Sequence, residues 1–336
     1  MRIILIGFGN LGKGLARIFV DKADFLRKTY GLVPHVVAVA DERGAAMDEN
    51  GLNLSKLLKV AEKKSVAAYE GGKRGKMALE VIEDMEADVV YELTPTNIKN
   101  GEPGFTHIKR AMLTGKHVIT SNKGPLVVAF GELDSLARKC GVEFRYSASV
   151  GGAIPVINLA RRLLAGNEIR EVCGVLNGTT NYILTRMSTE GVPFEIVLRE
   201  AQELGIAEKD PTLDIRGIDT ACKITILANS ILGIDAKLEH VKVTGIDRIS
   251  SEAIRLAREA GQTIKLVGVA RRGSLEVGPR LVPFGHPLAV GGTLNAVKFE
   301  LDLAREITIT GFGAGPQETS SSLLGDLIDI HRTLGG

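Results

Sequence analysis

The aliphatic run Ile3–Ile6 passes directly into Gly7-Phe8-Gly9-Asn10-Leu11-Gly12, and no other feature of the chain constrains its fold as much. Four large aliphatic residues in a row, with no polar alternation, read as a strand covered on both faces. In the glycine run, Gly7 permits a tight turn, Gly9 lets the backbone approach a pyrophosphate, and Gly12 allows a helix to pack closely on the strand. A helix that opens there presents unpaired N–H groups to phosphate charge. A glycine-rich turn between strand and helix can also be purely structural. This one stands at residue 7 of a chain that goes on alternating strands with helices, and that context favours a dinucleotide site.

The alternation continues to about residue 145. Strands are expected at 2–6, 35–40, 88–93, 117–120 and 142–146, with helices near 11–28, 52–61, 105–114 and 131–140. Short Val/Ile-rich strands between longer periodic segments predict a parallel sheet with helices on both faces. Beyond Val150 the texture changes. Helices are expected near 154–164, 182–189, 194–204, 216–232, 251–260 and 319–333, and strands near 172–176, 263–271, 274–283, 296–301 and 306–310. A length of 336 residues suits two domains, divided here at 147/148.

Composition narrows the class. With 44% apolar residues the chain can bury large cores, and its net charge is only +2. Its densest basic stretch, Lys73-Arg74-Gly75-Lys76, has no interleaved aromatics and reads as a solvated loop, so no nucleic-acid partner is expected. Cys140, Cys173 and Cys222 have no metal-ligand spacing and suit a reducing cytoplasm. No apolar run is long enough to span a membrane, and no signal peptide is expected.

Several residues stand where such a sheet binds ligands, beyond the carboxyl ends of its strands. Asp41 ends the second strand, where a carboxylate can hold the ribose hydroxyls and favour NAD. Arg43 could instead hold a 2′-phosphate, which leaves NADP open; Asp41 could also merely cap a turn. Thr94-Pro95-Thr96 and Asn122-Lys123 follow two further strands, either facing the cofactor or serving as plain loops.

The chemistry concentrates at residues 208–223. Asp219 and Lys223 are four apart, hence on one face of a helix whose other residues are nearly all apolar. Such a helix is expected to be buried. A buried ion pair is a poor stabilising device, so its presence points to function. Burial disfavours the charged form of a lysine and suits it to exchange a hydroxyl proton during hydride transfer. Glu208, Asp214 and Asp219 supply anionic partners for a substrate. The six histidines read as ordinary surface or strand residues.

These segments resemble a known family. Gly174-Val175-Leu176-Asn177-Gly178-Thr179-Thr180-Asn181-Tyr182-Ile183-Leu184 is similar to a characteristic block of homoserine dehydrogenases, and Glu208–Lys223 resembles the family signature E-x-D-P-x-x-D-x-x-G-x-D-x-x-x-K. Glu92–Thr96, Gly115–Lys123, Ser149–Pro155, His286–Ala289 and Gly311–Gly315 are similar as well, in the family's order.

The resemblance implies reversible NAD(P)-dependent oxidation of L-homoserine to L-aspartate 4-semialdehyde, in threonine, methionine and isoleucine biosynthesis. It implies a Rossmann dinucleotide-binding domain (1–147) and an α+β substrate and dimerisation domain with a mixed sheet (148–305). A C-terminal segment (306–336) would return to the first domain. Lys223 would be the proton donor and acceptor, with Lys123 as a second candidate. Glu208 and Asp219 would hold the substrate with support from Asp214. Phe8, Asn10, Leu11, Thr94, Lys123 and Gly313 would contact the cofactor. A homodimer is implied, with no appended regulatory domain and no fused aspartate kinase. Many relatives hold sodium on main-chain carbonyls, which carry over to Val150, Gly152 and Ile154; Ser147 stands where the relatives often have Glu.

Two rivals remain at this stage. One is another Rossmann dehydrogenase of an amino-acid-derived alcohol; the other is a nucleotide-sensing protein, which would need no Lys223.

Overall fold

Strand β1 (Arg2–Ile6) carries Ile3, Ile4, Leu5 and Ile6 on both faces, and all four are buried. A strand of that kind is stable only inside a covered sheet. It runs parallel to β2 (His35–Asp41) on one side and β5 (Val89–Glu92) on the other. The computed structural model describes residues 1–335 and divides them into two units, Met1–Ser149 with the segment from Pro316, and Val150–Gly315.

In the first unit β5 pairs in parallel with β6 (His117–Thr120), and β6 with β7 (Phe144–Arg145). Beyond β2 the sheet gains two antiparallel strands that were not expected, β3 (Gly44–Met47) and β4 (Lys73–Arg74), giving the order β4-β3-β2-β1-β5-β6-β7. Gly-Ala-Ala-Met and Lys-Arg lack the β-branched residues that mark a strand. Pairing with β2 makes β3 a strand, and pairing with β3 makes β4 one.

Helices α1 (Asn10–Asp21), α2 (Ala23–Tyr30), α3 (Leu54–Ala61), α4 (Ala78–Asp84), α5 (Gly104–Leu113) and α6 (Lys123–Cys140) belong to this unit. In α1 the buried residues Gly12, Leu15, Ala16 and Phe19 follow the helical spacing of one face. The single helix expected at 11–28 breaks at Lys22, whose backbone leaves the helical region. Helix α4 was not expected; the helix expected at 131–140 is the second part of α6, which kinks at Ala129 after an unexpected first part capped by Asn122, whose Oδ1 accepts from Gly124 N.

The second unit holds a mixed sheet of β8 (Ile169–Val175), β9 (Lys242–Val243), β10 (Gln262–Arg271), β11 (Ser274–Pro283), β12 (Leu294–Leu301) and β13 (Glu306–Phe312). Their order is β13-β12-β8-β10-β11-β9, antiparallel throughout except for β9 beside β11. Its helices are α7 (Val156–Asn158), α8 (Gly178–Glu190), α9 (Phe194–Glu203), α10 (Thr212–Ile215), α11 (Ile218–Leu232) and α12 (Ser251–Glu259). The helix expected at 154–164 is one short turn, α7, that continues as a wider turn over Leu159–Leu163. Most of α11 is buried, and it lies so close to β10 that a Cβ on Gly268 would come within 2.6 Å of Ile224 Cγ1.

Strand β13 belongs to this second sheet, so the chain re-enters the first unit at Pro316 rather than at 306. There α13 (Pro316–Thr333) packs Leu323, Leu327 and Ile330 among Leu15, Phe19 and Tyr91. The Tyr91 hydroxyl donates to Leu323 O at 3.1 Å, and Asp326 Oδ2 accepts from Ser147 N at 3.0 Å. No described helix is long and apolar enough to cross a membrane. Because Leu323 is fully buried in that core, Leu323→Ala is expected to cost about 2–5 kcal/mol of stability. The shift in denaturant midpoint measures it.

Candidate active site

At the carboxyl ends of β1, β2 and β5 lies a cleft of about 860 Å³, walled entirely by residues of the first unit. Gly7 leaves β1 at φ +94, and a Cβ there would sit 2.6 Å from Leu93 O, so the turn admits only glycine. A Cβ on Gly12 would come 2.5 Å from Gly7 O. Gly9 differs: nothing lies within 4 Å of where its Cβ would be, and it lines the cleft. It is also the N-cap of α1 and supplies no side-chain cap. The first N–H groups of α1 therefore face an open, roomy site with no side chain filling it, which fits the pyrophosphate of a dinucleotide.

Along this cleft, Asp41 is already in use. Its Oδ1 accepts from Arg43 N (2.8 Å) and Ser65 Oγ (2.9 Å), and its Oδ2 accepts from Val66 N (2.9 Å). Beside it a second cavity of about 530 Å³ is lined by Arg43, Lys63, Lys64 and Arg74, together with Ser65, Ala67 and Ala68. Near Thr94 the cleft is underlain by Glu92, which is fully buried. The Glu92 carboxylate accepts from Thr94 N (3.1 Å), from the Thr94 hydroxyl and from Thr120 Oγ1 (3.2 Å). His107 Nδ1 lies 3.7 Å from Glu92 Oε1, and His107 also lines the cleft.

The second unit holds a polar cluster on an apolar background. Helix α11 starts after Gly217, whose φ of +80 turns the chain out of α10. One helical turn apart, Asp219 Oδ2 and Lys223 Nζ are 2.7 Å apart, and Lys223 is only 7% exposed. Lys223 Nζ also donates to Leu176 O at 2.6 Å, at the end of β8. Asn177 Nδ2 donates to Asp214 Oδ1 (2.7 Å) and to Asp219 Oδ2 (3.0 Å). Burial raises the Asp214 carboxyl above its usual range, and the charge of Asp219 adds to this; bonds from Asn177 and Thr179 and the charge of Lys223 oppose it. A lysine held between a carbonyl and a carboxylate, beside a second carboxylate reluctant to ionise, is suited to moving a proton.

The family profile of homoserine dehydrogenase matches residues 155–328. The homoserine dehydrogenase of Methanocaldococcus jannaschii is 53% identical over 334 residues, covering 99% of both chains. The chain belongs to the homoserine dehydrogenase family. The NAD(+)-dependent homoserine dehydrogenase of Pseudomonas canavaninivorans is 38% identical, covering 99% of this chain and 96% of that one. A crystal structure from Archaeoglobus fulgidus with the same assignment superposes with a TM-score of 0.91 at 44% identity, covering 98% and 99% of the two chains. The expected activity class follows: the chain is an NAD(P)-dependent oxidoreductase of this family.

Of the residues expected from sequence, the homoserine dehydrogenase fold brings Asp214, Asp219 and Lys223 together, and it places Gly7, Phe8, Gly9, Asn10, Leu11, Gly12, Asp41 and Thr94 around the cleft. Glu208 is exposed, and its carboxylate joins none of the bonds of the polar cluster. Lys123 opens α6 instead of standing in a loop, and it does not line the cleft. Gly313 lies in the second unit against the Asn295 carboxamide and close to Gly152. Reading His107 as an ordinary surface residue is corrected, since it is buried against Glu92 at the cleft.

One residue in each unit was missed, and each left a trace. Glu92 is a carboxylate in an otherwise apolar strand. Asn177 precedes Gly-Thr-Thr as a helix cap would. The open space at Gly9 leads to a clear expectation. Gly9→Val is expected to abolish cofactor binding by calorimetry while leaving the melting temperature near wild type, because a Cβ at Gly9 meets no atom within 4 Å and the side chain enters the cleft.

Proposed function

We propose that this chain interconverts L-homoserine and L-aspartate 4-semialdehyde. The single observation that carries the reading is the buried cluster of Lys223, Asp219, Asn177 and Asp214 in a helix otherwise made for a core. The nicotinamide, when bound, supplies the hydride acceptor or donor. Gly9 and the N-terminus of α1 hold the pyrophosphate. Lys223 has three N–H donors, and Leu176 O and Asp219 occupy two of them. In the neutral amine the third position is a lone pair, which takes up the substrate hydroxyl proton on oxidation, and the ammonium so formed returns it on reduction. Asp219 balances the ammonium, and with Asp214 it presents negative charge to the substrate amino group. Lys123 is the second candidate for the proton step, and Glu208 for the substrate ammonium.

Lys223→Ala is expected to lower kcat by about 10²–10⁴, the range for a positioned acid–base group, with cofactor affinity unchanged. A folded Lys223→Ala variant that turns over homoserine at the wild-type rate would transfer the role to Lys123.

For the cofactor we infer NADP, against the NAD that Asp41 favoured in the sequence. Three internal hydrogen bonds occupy the Asp41 carboxylate. The adjoining cavity has four cations and no carboxylate in its wall, which suits a 2′-phosphate. Steady-state kcat/KM is expected to be higher with NADP, and Arg43→Ala with Lys64→Ala to remove most of that advantage while leaving NAD turnover intact. Higher kcat/KM with NAD in the wild type overturns this choice.

Sodium on the carbonyls of Val150, Gly152 and Ile154, a homodimer, a cytoplasmic location and the domain roles given above belong to the same proposal. The Ile154 carbonyl already accepts from Val156 N at 2.8 Å and keeps a second lone pair for a cation. Exposed Leu281, Phe284 and Phe312 in the second unit supply apolar surface for a second copy.

A further inference from the structure

Asn177 is a neutral side chain that touches both carboxylates of the polar cluster, and its orientation is not free. It is the N-cap of α8, where its Oδ1 accepts from Thr180 N at 2.9 Å. That bond aims the carboxamide oxygen at the helix and its Nδ2 away from it. Both Nδ2 contacts are then to acids, 2.7 Å to Asp214 Oδ1 and 3.0 Å to Asp219 Oδ2. The flipped amide would set an N–H against the Thr180 N–H and an oxygen against two carboxylates, so only one orientation is compatible with all three partners. The side chain is 6% exposed, which leaves water little access to replace these bonds.

The three anchors come from separate elements. Asn177 joins β8 to α8, Asp214 lies on α10 and Asp219 on α11. Resting on the function proposed above, we propose that Asn177 is a positioning residue: its cap-locked carboxamide ties Asp214 and Asp219 into one clamp, oriented toward Lys223 and the substrate.

The charge balance supports this. The titratable groups facing Asp214 are Asp219 and Lys223, two carboxylates for one ammonium. Burial and the charge of Asp219 push the Asp214 carboxyl up, and the bond from Asn177 is foremost among the effects that pull it down. The bond from Asn177 thus favours the ionised form of Asp214 against the burial that opposes it.

Asn177→Asp separates this role from helix capping. Aspartate caps a helix as well as asparagine does and suits the positive end of its dipole. It also turns the donor pair into a third carboxylate, so that the cluster must retain a proton. The expected result is a melting temperature close to wild type, unchanged cofactor affinity and a raised KM for homoserine. The acid limb of the kcat/KM–pH profile is expected to move up by about one unit or more. Asn177→Ser keeps the cap and shortens the donor; if Asn177→Asp does not fold, this variant is expected to raise KM with the fold intact.

Carbon-13 carboxyl titration of Asp214 in wild type and variant reads the coupling without any turnover. A wild-type enzyme inactive on homoserine would therefore reject the function while leaving the clamp to be judged by the titration alone. A lowered melting temperature with a wild-type pH profile, unchanged KM and an unchanged Asp214 titration would reduce Asn177 to a helix cap and overturn the proposal.

Discussion

An ammonium group almost entirely hidden from water has to be met by compensating charge and acceptors, or the helix that carries it will not pack. Lys223 imposes that condition on the second unit. Its partners, Asp219 on the same helix and Leu176 O at the end of β8, bind α11 to the end of an interior strand of the mixed sheet. The rest of α11 is apolar and closes against β10 so tightly that residue 268 has room only for glycine. Removing one member of such a pair leaves an uncompensated charge in a core, which is far more costly than never having built the pair. The arrangement is expensive as architecture and makes sense as chemistry.

The first unit works by a complementary constraint, the exclusion of side chains. At Gly7 and Gly12 a Cβ would collide with backbone, so these glycines let strand, turn and helix approach one another. At Gly9 nothing would collide, and the cleft stays open there. The parallel order of β2, β1, β5 and β6 brings the strand ends to one rim, and the uncapped start of α1 supplies directed N–H groups there. Beneath that rim the buried carboxylate of Glu92 gathers Thr94, Thr120 and His107 into a firm floor. A preorganised floor spares the enzyme the cost of ordering those groups when a cofactor binds.

Features that depend on near neighbours were readable from the chain alone. The strand–glycine–helix start, the parallel α/β texture, the change of texture near residue 150 and the i,i+4 pairing of Asp219 with Lys223 all follow from spacing within one or two turns. The errors have equally local causes. Lys22 breaks a helix whose apolar period runs on without a glycine or proline to mark the stop. Strands β3 and β4 hold no strand-forming residues and exist only because β2 offers β3 an edge and β3 offers β4 one. The first part of α6, ahead of the kink at Ala129, went unread because its start is set by the Asn122 cap and not by a strong apolar period.

The sequence by itself therefore determined the glycine turn between β1 and α1, the fold class, and the lysine and carboxylate that face each other on one helix. Only the tertiary structure decided which distant groups complete the sites. Asn177 reaches Asp214 and Asp219 across 37 and 42 positions of sequence. Asp41 turns out to be occupied by Ser65 and Val66, and the basic wall beside it draws Arg43, Lys63, Lys64 and Arg74 from three separate loops and strands. Contacts between residues so far apart leave no periodic trace in a chain, because they are set by how whole elements stack, and a single residue pattern encodes only the face each element presents.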